Sequence, residues 1–191
     1  MTSAGNASFK VAIVGAGASG IATAVYLQRA GIAGMDVLWF QRSRTVFQSP
    51  GRWRADAVAM TTTHDLPTVA GWWRGSDIAE RNKFGLAAED EGDARPADRR
   101  RLWRAFTRAG AAHGPAPASD DPQPAVDAAL SFVARSRSPL MLAPLEDMLG
   151  LAEQPNLPGT IDEHPNWRRS LAPAASSLFD DPDVARRSAL I

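Results

Sequence analysis

The run AVAMTTT at residues 57–63 is apolar at its first four positions and threonine at its last three. A strand that is apolar on both faces belongs in a parallel sheet covered on both sides rather than in a half-solvated antiparallel one. Two other short runs share that character: DVLWF at 36–40, and the start of PLMLAPLEDMLGL at 139–151, which turns helical near Leu145. KVAIVG at 10–15 reads as a further buried strand. Helical patterns lie between the strands. Residues 19–30 carry apolar side chains near helical spacing, and 67–83 reads as one helix with Pro67 near its start, where a missing N–H costs nothing. Leu102, Trp103 and Phe106 make one apolar face, and Val126, Ala129, Leu130 and Val133 recur at i, i+3, i+4, i+7. Strands alternating with helices predict an α/β fold of parallel strands. Residues 110–124 (GAAHGPAPASDDPQP) read as a surface loop, and 152–169 have no periodicity at all.

Composition narrows the partners. Lys+Arg and Asp+Glu each number 21, so the formal net charge is zero, and neither nucleic acid nor a membrane surface is expected as a partner. Cysteine is absent, which excludes disulfides and thiolate metal sites and fits a cytoplasmic location. The three histidines, His64, His113 and His164, are too scattered for a local metal box, so no metal is expected. Lys10 followed by an apolar run mimics a signal peptide, but its glycines make a poor signal helix and the run falls short of the ~20 residues that span a bilayer.

Gly15-Ala16-Gly17-Ala18-Ser19-Gly20 is a G-x-G-x-x-G after a strand and at the start of a helix. Such a turn lets backbone approach a pyrophosphate at a helix N-terminus. Residues 9–31 resemble the first βα unit of flavin-dependent monooxygenases. That resemblance implies a Rossmann-like unit over 1–30, with Gly15, Gly17 and Gly20 holding FAD or NAD. The next strand, however, ends Trp39-Phe40-Gln41 and lacks the carboxylate that would anchor the ribose.

The pair His64-Asp65 follows the strand at 57–63 directly. Side chains just past the C-terminal end of a parallel strand are where barrel enzymes place their chemistry. Taken alone, Asp65 reads equally well as a helix N-cap before Pro67, and His64 as a satisfied core residue. GMDVLWFQR, the stretch from Trp53 through AVAMTTTHDLPTVAGWWRG, and EDMLGLAEQPNLPGTIDEHPNWRR together resemble the C-terminal part of the 4-α-glucanotransferases (amylomaltases, disproportionating enzymes). The resemblance runs from about Ala30 to the C-terminus, so residues 31–191 are expected to be the C-terminal portion of that family's barrel.

The resemblance implies a partial (β/α)8 TIM barrel, with 36–40, 57–63 and 139–144 as its sixth, seventh and eighth strands. It implies transfer of α-1,4-glucan segments by a retaining double displacement, in which a nucleophile and an acid/base carboxylate stand about 5 Å apart. A third carboxylate stabilises the oxocarbenium-like charge and maps onto Asp65, with His64 beside it as a hydroxyl donor. The loop 152–169 is expected to border the glucan groove and to contribute Asn156, its shape set by Pro155, Pro158 and Gly159. Trp167 reads either as a packed core residue or as a platform for a sugar ring. Glu163 and Arg168 read as an internal polar network. An α-1,4-glucan or maltooligosaccharide is the expected ligand, and no cofactor is expected.

The family pattern fails upstream. Its nucleophile and acid/base precede the sixth strand, where this chain has the glycine turn instead, so two of three catalytic carboxylates are missing. The expectation is a truncated or composite chain joined near Ala30-Gly31-Ile32 and inactive alone. It would self-associate through open barrel edges, with Val37, Trp39, Val58 and Met60, or their alternates on the strands, uncovered. Two other readings are an FAD- or NAD-binding oxidoreductase fragment and a non-catalytic glucan-binding fragment.

Overall fold

The computed structural model describes residues 31–171 and 175–191. The expected strand at 10–15, the helix at 19–30 and the glycine turn with Gly15, Gly17 and Gly20 lie outside the described residues. Three parallel strands form the main sheet: β1 (Gly34–Val37), β4 (Ala57–Met60) and β5 (Leu140–Leu142), in the order β1-β4-β5. Met35 pairs with Val58 and Val37 with Met60, while Val58 pairs with Leu140 and Met60 with Leu142. The α/β class and parallel pairing expected from the sequence are what the chain adopts.

The first crossover differs from the second. Between β1 and β4 the chain makes no α-helix but a short antiparallel hairpin, β2 (Arg42–Ser43) with β3 (Val46–Phe47), between two 3₁₀ turns at Leu38–Phe40 and Pro50–Arg52. Between β4 and β5 come four helices: α1 (Val69–Arg74), α2 (Ser76–Asn82), α3 (Glu91–Arg108) and α4 (Gln123–Ala134). The helix expected over 67–83 is broken in two by Gly75, whose φ of 88° closes α1 while its N–H bonds to Gly71 O. After β5 follow α5 (Leu145–Met148), the long loop, a 3₁₀ turn at Ala175–Asp180 and α6 (Pro182–Ser188).

Residues of one register row share a face of the sheet. Ala59, between Asp36 and Met141, faces the helices, and there α4 packs against β4, α1 and α3. The apolar stripe read at Val126, Ala129, Leu130 and Val133 is wholly buried, and so are Ala125, Ala128 and Phe132, which makes α4 the central helix. Aromatic rings run through this core in an unbroken series of contacts from Trp53 through Phe132, Phe106, Trp103, Trp73 and Trp72 to Trp39. Asp36 is the one charge on that sheet face. It is buried, and accepts from Arg54 N at 2.9 Å and Arg54 Nε at 2.8 Å.

On the opposite face Val37, Val58, Met60 and Leu140 form a second cluster, with Ile32, Trp39, Leu66 and Leu142 packed against it. The expectation that this face stands uncovered is corrected: Val37, Val58 and Met60 are buried, and Trp39 is half-buried and stacked on Trp72 at 4.9 Å. No helix among the described residues is long and apolar enough to cross a membrane.

Candidate functional site

Each of the three threonines that end the strand has a separate task. Thr61 Oγ1 donates to Asp147 Oδ2 at 2.5 Å. Thr62 Oγ1 donates to Pro67 O at 2.8 Å, across the turn, and accepts from Trp39 Nε1 at 3.3 Å. Thr63 Oγ1 accepts from Asp65 N at 3.3 Å. The turn they build projects His64 and Asp65 outward, half-exposed, past the C-terminal end of β4. Asp65 is not the helix cap: Thr68 caps α1, its hydroxyl accepting from Gly71 N at 3.0 Å. His64 is not a core residue either.

The loop over 152–169 contains neither helix nor strand, and it holds itself together by side-chain bonds. Asn166 is its hub, taking Leu157 N at 2.9 Å and giving to Thr160 O at 3.2 Å and Thr160 Oγ1 at 2.9 Å. Trp167 N closes the loop on Pro155 O at 3.0 Å. Buried Leu157 pins its middle, and Gly71 lets it lie on α1, since a Cβ there would collide with Ala152 O. His164 is buried with Nδ1 3.4 Å from Glu80 Oε1, without hydrogen-bond geometry.

Folded this way, the loop delivers two side chains to the turn. Asn156 Nδ2 donates to Asp65 Oδ1 at 2.5 Å, while His64 Nε2 lies 3.2 Å from Asp65 Oδ2. The Trp167 ring stands 5.1 Å from the His64 ring, inclined by 52°. Trp167 is 59% exposed, so the core reading of that tryptophan is corrected. The polar network expected at Glu163 and Arg168 is on the surface rather than internal. Glu163 accepts from Ile161 N and Asp162 N, and these backbone bonds, Ile161 first, hold its carboxyl below the usual range. Arg168 reaches Asp162 at 3.5 Å with both side chains exposed.

Two residues of the site's frame escaped the sequence reading. Asn166 sits in the quoted loop without a local signal for its role. Asp147 is fully buried, accepting from Thr61 Oγ1 and, at 2.8 Å, from Val69 N. Burial pushes its carboxyl up to about 6, against both hydrogen bonds, which favour the ionised form.

Chemically the cluster offers one carboxylate with free lone pairs, an imidazole, a carboxamide and an open aromatic face. That is a set suited to sugar hydroxyls and to the apolar face of a pyranose ring. Among the described residues no group of three His, Cys, Asp or Glu could hold a metal ion.

A family model described as 4-alpha-glucanotransferase matches residues 20–175, beginning within the stretch read as a glycine-turn unit. The 4-alpha-glucanotransferase of Mycobacterium bovis is 33% identical over 87% of this chain and 24% of its own length. The one from Haemophilus influenzae is 27% identical over 76% of this chain and 22% of its own. Among solved structures, the amylomaltase of Corynebacterium glutamicum superposes with a TM-score of 0.70 at 25% identity, covering 94% of this chain and 28% of that one. An amylomaltase of Streptococcus agalactiae in complex with acarbose shares the fold, with a TM-score of 0.56 at 17% identity over 88% of this chain and 28% of its own. The chain thus spans about a quarter of the length of the curated relatives it matches. With a family match over most of its length, the chain belongs to the 4-alpha-glucanotransferase family.

Proposed function

We propose that this chain forms the C-terminal part of a (β/α)8 barrel, with β1, β4 and β5 as its sixth, seventh and eighth strands. In this reading the cluster at their C-terminal end grips an α-1,4-glucan. The observation that carries the reading is the meeting of Asp65 and Asn156, bonded at 2.5 Å beside His64 and the exposed Trp167 ring. Asp65 takes sugar hydroxyls on its free lone pairs and stabilises positive charge at the anomeric carbon. His64 and Asn156 orient it and bond neighbouring hydroxyls, and Trp167 stacks on a pyranose.

One carboxylate cannot perform a retaining transfer, which needs a nucleophile and an acid/base flanking the bond. The chain therefore binds and orients glucan without turning it over alone, and no cofactor enters. The outer edges of β1 and β5 have no partner strand among the described residues. Pairing there, with further barrel strands or a second copy, belongs to the same reading. The test is maltotriose disproportionation by the purified chain. No glucose release is expected, because losing the covalent route costs many powers of ten. Release that tracks the protein through purification and vanishes in Asp65→Asn would contradict the proposal.

A further inference from the structure

The turn carrying His64 and Asp65 begins at a strand end and finishes at a helix start, and neither end is held by the turn's own residues alone. Both reach the same side chain. Asp147, 86 positions beyond Thr61 and 78 beyond Val69, accepts the Thr61 hydroxyl on Oδ2 and the Val69 N–H on Oδ1. It sits on α5, immediately after β5, and is wholly buried. Its own element is anchored in turn by the buried Arg187 of α6. That guanidinium donates to Met148 O at 2.8 Å, to Asp127 Oδ1 at 2.9 Å and to Gln123 Oε1.

We propose that Asp147 is a positioning residue for the glucan site: by holding Thr61 and Val69 on its two oxygens, it fixes where Asp65 meets Asn156. This rests on the reading of the cluster as a glucan site. Capping the first turn of α1 would require only the Val69 N–H. The second oxygen spans to the strand instead, so the carboxylate sets the distance between the two ends of the turn. Thr62 and Thr63 shape the turn inside those ends, and Asn156 arrives from a loop with its own hydrogen-bond frame. The Asp65–Asn156 bond is therefore made between two separately built pieces, and moving one piece breaks it.

The test compares Asp147→Asn, Asp147→Ala and Thr61→Val with Val133→Ala, a core truncation on α4 that touches none of the hydrogen bonds holding the turn. The first readout needs no glucan: the Asn156 side-chain amide and His64 ring resonances in the labelled chain. Asparagine can still accept from Val69 N and donate to Thr61, so Asp147→Asn should keep both sets of signals in place. Asp147→Ala and Thr61→Val should move them toward the positions seen in Asp65→Ala, while Val133→Ala leaves them unmoved.

The second readout is maltoheptaose affinity, expected to fall roughly tenfold in Asp147→Ala and to survive in Asp147→Asn. Unmoved Asn156 and His64 signals in Asp147→Ala, or in Thr61→Val should the alanine variant fail to fold, would overturn the proposal. So would equal movement in Val133→Ala. If the unaltered chain does not bind maltoheptaose, the glucan reading fails, while the resonances still report on the positioning role.

Discussion

Asn156 donates to the Asp65 carboxylate at 2.5 Å from 91 positions away, joining the loop before the C-terminal helix to the turn after the central strand. The bond uses one lone pair of Oδ1, and His64 Nε2 faces Oδ2. The carboxylate is thereby aimed while half of it stays open to solvent. An oriented carboxylate with open lone pairs is the geometry that the proposed grip on sugar hydroxyls requires.

Removing the aiming group should cost binding more than folding. Asn156→Ala is expected to weaken maltoheptaose binding by about tenfold, since a charge-assisted hydrogen bond that orders the carboxylate is lost. The pair is half-exposed, so unfolding free energy should change by less than about 1 kcal/mol. Calorimetric titration beside urea unfolding checks both. A loss of stability with unchanged affinity would reverse the assignment.

The loop's seat on α1 is equally testable. Helix propensity alone favours Gly71→Ala by about 1 kcal/mol. The added Cβ would collide with Ala152 O, a backbone atom that cannot rotate away. Overpacking costs about 1–3 kcal/mol, so the net effect should be destabilising, and the loop should shift. Trp167 would then leave His64, read as increased quenching of its fluorescence by acrylamide. Stabilisation by the alanine would show that the loop does not rest on this helix.

Much of this arrangement is legible in the sequence. The parallel strands at 34–37, 57–60 and 140–142 overlap the apolar runs at 36–40, 57–63 and 139–144 with ends up to three residues off, because Leu38–Phe40 wind into a 3₁₀ turn and Thr61 to Thr63 already belong to the turn after β4. The place of His64 and Asp65 at a strand end is legible, but position alone leaves Asp65 open between a site and a helix cap, and only the family resemblance separates the two. What the sequence hid has physical reasons. The hairpin at 42–47 has strands of two residues, too short for alternation to appear. Gly75 sits in a continuous helical pattern, and only its φ of 88° breaks it. Asp147 lies in an ordinary Leu-Glu-Asp-Met stretch, and both of its partners are more than seventy positions away. Trp167 has the same letter whether it is buried or exposed, and the Pro155 bond that turns it outward is a backbone contact.

Asp147 should leave a signature in the pH dependence of stability. Its folded carboxyl titrates at about 6 against an ordinary 3.8, so between these values the folded state holds a proton that the unfolded state has released. Stability from this group is therefore full below about pH 4, falls as pH rises toward 6 and is flat above, by about 3 kcal/mol in all. Asp147→Asn removes the titration. The variant should gain on the unaltered chain steadily between pH 4 and 6.5, measured by urea unfolding at each pH. A difference that does not vary with pH would show that the carboxyl is not desolvated.

The buried pair at the base of the helical layer carries a larger cost. Arg95 binds both oxygens of Asp77, at 2.7 and 2.8 Å, donates to Trp72 O and lies over the Trp72 ring at 4.5 Å. Asp77→Ala takes both close carboxylate bonds from the buried guanidinium and leaves it only Glu91, 3.6 Å away and shared with Arg81, and should cost about 3 kcal/mol. Replacing both, as Asp77→Leu with Arg95→Met, should cost clearly less, because no lone charge remains. Equal losses in the single and double variants, by chemical denaturation, would mean that the pair contributes through shape alone.

Whether the cluster around Asp65 grips glucan is read by titrating maltoheptaose into the ¹⁵N-labelled chain and following it by two-dimensional NMR. Saturable shifts are expected, confined to residues 62–66, 154–157 and 166–168. Asp65→Asn should weaken them while leaving the remainder of the spectrum in place. Shifts that cluster elsewhere, or that persist undiminished in Asp65→Asn, would contradict the glucan reading.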